Sequence, residues 1–217
     1  MTNNLDDAGW KTALDAGAKE LGVELDQSQL DILWRYGVML RERNEHVNLT
    51  SIVSPEGILQ LHMLDSLTVA RHLGDAQHII DVGTGGGFPG IPLAVAYPQR
   101  QFTLIDGTQK KIRFVAESVT ALDIRNVAAV AARAESFDGG KGFDVVIVRA
   151  VGSLVELLQN AGHLVGAQGR LLAMKGRLPE EEINSVPRGW QGEVFSLHIP
   201  GVDAERHLVT LRRSPRA

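Results

Sequence analysis

The run Ile79-Ile80-Asp81-Val82-Gly83-Thr84-Gly85-Gly86-Gly87-Phe88-Pro89-Gly90-Ile91-Pro92 restricts this chain more than any other stretch. It begins as a short apolar run of strand type and breaks into a cluster of glycines. Pro89 and Pro92 follow, and proline suits a first helical turn because its missing N–H is no loss there. Strand, glycine loop and helix start, in that order, form a cradle. Glycine lets a ligand approach the backbone closely, and a helix N-terminus offers N–H groups with partial positive charge.

The rest of the chain supplies the sheet and the helices around that cradle. Helices are expected at 6–22, with Trp10, Leu14 and Leu21 on one side, and at 27–43. The second starts from an Asp26/Gln29 capping box and buries a stripe of Leu30, Leu33, Trp34, Gly37 and Leu40. Ser54 and Pro55 open a third helix, running to about His72 and stopping at Gly74. From His78 the rhythm becomes alternating: strands at 78–82, 101–105, 127–131, 143–148 and 170–174, and helices at 90–97, 108–122, 153–165 (closed by Gly166) and 179–183. Residues 193–199 and 207–212 read as a closing antiparallel pair. Apolar strands alternating with helices imply an α/β fold with a mostly parallel, doubly wound, seven-stranded sheet. Residues 1–75 are expected to form an N-terminal helical cap packed on a Rossmann-like body of residues 76–217.

Two kinds of cofactor use such a loop. Gly85, Gly87 and Gly90 spell the G-x-G-x-x-G of dinucleotide binding. Asp81, however, stands on the strand before the glycines, where a carboxylate repels a pyrophosphate and suits a cationic ligand bearing an amino acid. S-adenosylmethionine, with its ammonium and sulfonium, is such a ligand, and Asp-x-Gly-x-Gly-x-Gly at 81–87 resembles motif I of the class I methyltransferases. An NAD-dependent oxidoreductase is the rival from the other reading of the same glycines.

Ligands of such sheets bind outside the carboxyl ends of the strands, so the residue after each strand matters. Asp106 closes the second strand about 20 residues past the glycines, where an acid accepts from ribose hydroxyls; Gly107 and Thr108 follow. Ala134, Glu135 and Ser136 follow the third strand, placed to border an adenine. Arg149 ends the fourth strand, where an arginine is costly unless paired, and Lys175-Gly176 ends the fifth. In the third helix, His62, Asp65 and Ser66 share one face at i, i+3 and i+4, and Asn48 is expected to point into the same cleft. His62 and Asp65 alone are too few for a metal site.

Bulk properties remove several classes. With no cysteine there is neither a disulfide framework nor a thiolate metal site. No apolar run approaches the roughly 18 residues needed to span a bilayer, and the polar start (Thr2, Asn3, Asn4, Asp6, Asp7) is unlike a signal peptide. A net charge of −4 argues against a whole-surface polyelectrolyte binder but leaves room for a local basic face. Arg41, Arg43, Lys110, Lys111, Arg113, Lys175 and Arg206, with Arg177, Arg212 and Arg213, form short clusters, some expected to converge on the cofactor mouth and hold phosphates.

Several separated motifs together resemble one family, the bacterial small-subunit rRNA guanine-N7 methyltransferases, formerly called glucose-inhibited division protein B. They are Asn48-Leu49-Thr50-Ser51, His62-x-x-Asp65-Ser66, Asp81 to Leu93, Lys110-Lys111-x-Arg113-Phe114, Ala134-Glu135, Val148-Arg149-Ala150, Lys175-Gly176 and Glu205-Arg206-His207-Leu208-Val209. Gly86 departs from the pattern, since other members often carry proline there. The resemblance implies S-adenosylmethionine contacts at Gly83, Phe88, Asp106 to Thr108, Ala134, Glu135 and Arg149. It implies a guanine in the decoding-region loop of 16S rRNA as target, within the 30S subunit or its precursor, and a cytoplasmic, monomeric enzyme with no membrane partner. Guanine N7 carries a lone pair and no proton, so no general base is expected; the work is positioning, by Arg149, Asn48, His62 and Asp65. A methyltransferase acting on another RNA or a small molecule, and a non-catalytic ribosome-assembly factor, are the remaining alternatives.

Overall fold

The computed structural model describes residues 6–149, 152–178 and 180–214. Ala150, in the expected Val148-Arg149-Ala150 motif, and Pro179, the expected start of a short helix, lie outside the described residues, as do Thr2, Asn3 and Asn4.

Helix α1 (Asp7–Glu20) is capped by the Asp6 side chain, and α2 (Gln27–Asn44) by the reciprocal Asp26/Gln29 box. The buried stripe of α2 is Leu30, Leu33, Tyr36, Gly37 and Leu40. Tyr36 takes the place expected for Trp34, which is only half-buried and meets Trp10 edge-on. Ser54 and Pro55 start α3 (Pro55–Ile58), as expected. The segment then widens into a π-helical stretch (Leu59–Leu64) before α4 (Asp65–Leu67) and a 3₁₀ turn (Ala70–Leu73). A single α-helix was the expectation; π turns are rare and frequent at functional sites.

Strands β1 (His78–Val82), β2 (Gln101–Asp106), β3 (Val127–Ala131), β4 (Phe143–Arg149) and β5 (Val165–Lys175) are parallel, and β6 (Trp190–Ile199) and β7 (Val202–Arg213) close the sheet antiparallel. The order is β3-β2-β1-β4-β5-β7-β6. Strand order reverses between β1 and β4, so the crevice for a ligand opens there. Helices α5 (Gly90–Ala96), α6 (Gln109–Ala121), α7 (Leu154–Ala161) and α8 (Glu180–Asn184) make the crossovers.

Alternation along the strands sends side chains into two cores. Ile79, Leu104, Val145, Ile147 and Leu172 pack with the N-terminal helices, in one cluster that includes Trp10, Leu33 and Met63. Ile80, Ile105, Val146 and Leu171 pack on the opposite face with Leu154 and Leu158 of α7.

Two expectations need correcting. The helix after Ser153 stops at Ala161, and Val165 to Gly169, expected partly as helix and closing glycine, belong to β5. The backbone approach explains it: a Cβ on Gly169 would stand 2.4 Å from the Phe143 carbonyl, and the β4/β5 register shifts at that point. Strands β6 and β7 are also longer than expected, because Pro200-Gly201, with Gly201 at φ +75°, turns the chain tightly between Ile199 and Val202.

Candidate active site

A cavity of about 660 Å³ opens above the carboxyl ends of β1, β4 and β5, between the glycine loop and the cap. That size is ordinary for a small-molecule site. Its floor is Gly83 to Gly86 and Phe88, one wall is Thr50, Leu61, His62 and Asp65, and the other is Arg149, Met174, Lys175 and Arg206.

Most N–H groups of the glycine loop are satisfied within it, that of Gly86 excepted. Gly83 and Thr84 donate their N–H groups to the Ile105 carbonyl, Gly85 to the Asp106 carboxylate at 2.9 Å, and Gly87 and Phe88 to the Thr84 carbonyl. Gly90 donates to Asp81 at 2.8 Å. Gly83 and Gly85 have φ of +71° and +58°, which glycine adopts without strain. Gly87, at φ +88°, faces away from the cavity: a Cβ there would fall 2.2 Å from the Tyr36 hydroxyl, which donates to the Gly86 carbonyl at 2.6 Å.

Asp81 lies beneath the loop, 1% exposed, and does not line the cavity. One carboxylate oxygen accepts from Thr84 Oγ1 at 2.6 Å and from Gly90, while the other is buried without a hydrogen-bond partner. Burial pushes its carboxyl up to about 6, against the hydrogen bonds from Thr84 and Gly90 and the charge of Arg149. The expected contact between Asp81 and a ligand ammonium is therefore replaced by a role in shaping the loop.

Asp65 is the electrostatic centre of the cavity. One oxygen meets Arg149 Nη1 and the other Arg206 Nε, both at 3.2 Å, and Arg149 also donates to the Leu61 carbonyl. His62 stacks on Phe88 with centroids 4.4 Å apart, and its Nε2 is 2.8 Å from Thr50 Oγ1. Burial, with the Arg149 charge nearby, pushes its imidazole down to about 4, so the ring is neutral near pH 7. Ser66 does not line the cavity; its hydroxyl turns back onto the His62 carbonyl. Asn48 is exposed and outside the lining, because Asn44 pins the next two residues through the Leu49 and Thr50 N–H groups.

The other expected cofactor residues lie across the loop, at the ends of β2 and β3. Asp106 accepts from Gly85 and from the Thr108 N–H at 2.7 Å; the Thr108 side chain, expected as a helix cap, makes no capping bond. Gly107 and Glu135 are exposed and Ala134 half-buried, on an open surface rather than in the cavity.

The basic residues divide. Lys175 and Arg206 line the cavity, but Lys175 is bonded to the Gly152 carbonyl and to Glu182 at 2.8 Å, and Arg206 to Asp65. Arg43 pairs with Glu117, tying α2 to α6. Arg41, Lys110, Lys111 and Arg113 make no ion pair among the described residues. Arg212 and Arg213 fall at the opposite end of the sheet; Arg213 lies over Trp190. Sequence reasoning missed Tyr36, Thr50's bond to His62, and Glu182, which holds both Lys175 and the Leu154 N–H.

The family model described as "rRNA small subunit methyltransferase G" matches residues 29–209. The chain belongs to that family. It is 44% identical over 199 residues to the ribosomal RNA small subunit methyltransferase G of Methylococcus capsulatus, covering 92% of this chain and 97% of that one. It is 42% identical to the same-named protein of Nitrosococcus oceani, covering 92% and 93%. Among solved structures, a SAM-dependent methyltransferase from Aquifex aeolicus superposes with a TM-score of 0.55 at 16% identity, over 71% of this chain and 92% of that one. M. jannaschii TYW2 in complex with AdoMet gives 0.50 at 17%, over 63% and 69%. The fold of this family member is thus the class I S-adenosylmethionine-dependent methyltransferase fold, with its glycine loop at the switch point.

Proposed function

We propose that the protein transfers a methyl group from S-adenosylmethionine to N7 of a guanine in 16S rRNA, within the 30S subunit or its precursor, in the cytoplasm. The observation that carries the cofactor is the small number of free donors in the loop. A pyrophosphate needs several backbone N–H donors at the glycine turn, whereas here those of residues 83, 84, 85, 87, 88 and 90 are used internally and only that of Gly86 is left for a ligand. The Asp106 carboxylate stands beside the loop, where it disfavours a phosphate and suits ribose hydroxyls. This favours S-adenosylmethionine over a dinucleotide. The RNA assignment is supported by the names of the relatives and by Lys110 and Lys111 in the first turn of α6. Cations at that position oppose the helix dipole, and no acidic residue in the turn offsets them.

When bound, S-adenosylmethionine supplies an electrophilic methyl group on a sulfonium. Gly83 and Gly85 would give its amino-acid end a bare backbone, and Asp106 would accept from its ribose hydroxyls. Phe88, backed by His62, gives the floor an apolar face. Arg149 and Arg206 offer N–H groups at the mouth of the cavity. None of these moves a proton, and none is needed, because N7 attacks with a lone pair. Incubation with labelled cofactor and either 30S particles or deproteinised 16S rRNA, followed by nucleoside mass spectrometry, should give 7-methylguanosine. Saturable NADH binding with none of S-adenosylhomocysteine, or no methyl incorporation into either RNA, overturns the reading.

A further inference from the structure

A second cleft, of about 230 Å³, lies at the other end of the sheet and takes no part in the site above. Arg71, His72, Arg170, Glu193, Thr210 and Arg212 line it. Arg170 precedes Lys175 by five residues on β5, which puts the cleft about 17 Å from the cavity along the strand. Arg170 and Arg212 are directly opposite in the β5/β7 register, where like charges repel; an anion between them removes that repulsion. The arginine ion pairs among the described residues involve Arg43, Arg125, Arg149 and Arg206, and none of the cleft's three.

The cleft is also built. Arg170 is held in place by two bonds from Nε and Nη2 to the His72 carbonyl, at 3.0 and 2.9 Å. Gly74, at φ +50°, makes room for it: a Cβ there would stand 2.9 Å from Arg170 Nη2. Thr210 is 6% exposed and its hydroxyl has no hydrogen-bond partner, although a buried polar atom ordinarily finds one. The facing charges are predominantly positive. Glu193 lines the cleft, and Asp75 and Asp144 act on Arg170 from behind, but Asp144 is spent on the Gln77 and His78 N–H groups. Burial, then Arg212 and Arg100, lower the proton affinity of Arg170, and burial, Arg71 and Arg170 lower that of His72.

We propose that this cleft binds a phosphate group, with Arg71, Arg170 and Arg212 lining it, and that in the working enzyme the phosphate belongs to the backbone of the RNA substrate. The RNA part rests on the proposed function; the anion part does not. The test uses Arg71→Ala/Arg212→Ala. Affinity for 16S rRNA is measured by filter binding over a salt series, S-adenosylmethionine affinity by calorimetry, and the response to inorganic phosphate by thermal shift at matched ionic strength. The double variant should bind RNA about tenfold more weakly, with a log–log salt slope shallower by about one for each phosphate no longer held, and keep its cofactor affinity. Inorganic phosphate should raise the Tm of the parent protein and not that of the double variant.

Unchanged RNA affinity and slope, with the phosphate response still abolished in the double variant, would overturn the RNA assignment and give the site to a free anion. A double variant that keeps both responses overturns the proposal altogether. A parent protein that responds to phosphate in this cleft but neither binds nor methylates rRNA sinks the functional reading and leaves the anion site standing.

Discussion

Asp81→Asn gives the sharpest test of how the glycine loop is held. The folded carboxyl titrates at about 6 against a usual 3.8, so between those values the native state binds a proton that the unfolded chain has lost. Its contribution to stability is fully present below pH 3.8 and is lost as pH rises through 6, about 3 kcal/mol in all at 1.36 kcal/mol per pH unit. His62 acts in the opposite sense. Its folded value is about 4 against 6.5, so the unfolded chain binds the extra proton, and stability rises by about 3 kcal/mol from pH 4 to 6.5. In the parent protein these two slopes cancel over pH 4–6. Asn retains an acceptor for Thr84 and Gly90 but does not titrate. Asp81→Asn should therefore make the unfolding free energy climb more steeply over that window, by about 1.4 kcal/mol per pH unit relative to the parent. His62→Gln should make it fall by a similar amount, and the double variant should restore the parent slope. Urea unfolding at half-unit pH steps measures this, and the comparison removes every other titrating group. Parallel curves for parent and Asp81→Asn would show that the carboxylate is solvated and that burial beneath the loop is not what governs it.

Three further outcomes follow from the geometry. Tyr36→Phe leaves the buried Gly86 carbonyl without its donor and should cost about 1–3 kcal/mol of stability, together with weaker S-adenosylmethionine binding, read by denaturation and calorimetry; equal cofactor affinity would mean that α2 does not set the loop. Asp106→Ala removes the acceptor for the Gly85 and Thr108 N–H groups and should weaken cofactor binding by about 1–3 kcal/mol, and an unaltered dissociation constant would place the ribose elsewhere. Lys110→Ala/Lys111→Ala should lower RNA affinity and make its salt slope shallower by up to about two at unchanged cofactor affinity, and RNA binding indifferent to the change would move the basic face away from α6.

The strands were legible because their signals are local: His78–Val82 and Val127–Ala131 are short apolar runs between turn residues, and the structure keeps those bounds. Capping chemistry was equally local, so Asp26/Gln29 and Ser54-Pro55 could be placed from spacing alone. What failed depends on contacts distant in sequence. Gly166 and Gly169 look like punctuation, but they sit in a strand because β4 passes too close for a side chain. The π-helical stretch has no compositional mark in Leu59–Leu64. Asp81 was placed correctly on its strand, yet only the folded loop shows that the carboxylate points under the glycines. Tyr36 offered a polar tip that nothing nearby in sequence could explain, because its partner lies 50 residues away.

The arrangement around Asp65 bears on a difficulty in the proposed chemistry. Methyl transfer carries positive charge from the sulfonium onto the guanine, and two unpaired guanidiniums beside the base would oppose that arrival. Asp65, accepting from both Arg149 and Arg206, cuts their combined charge to a single unit and fixes where it sits. A guanidinium has five N–H donors, so both arginines keep donors for the substrate while paired. On the edge of guanine that carries N7, the other acceptor is O6. A donor placed on N7 would block the attacking lone pair, whereas a donor on O6 leaves it free and orients the ring. Once N7 is methylated the ring is cationic and O6 is a poorer acceptor, so the contact that positions the substrate weakens in the product. In the proposed reaction the O6 contact thus grips the neutral base more firmly than the charged one it becomes, which is the sense required for turnover, while the Asp65 pairing keeps the two arginines from opposing the transfer itself.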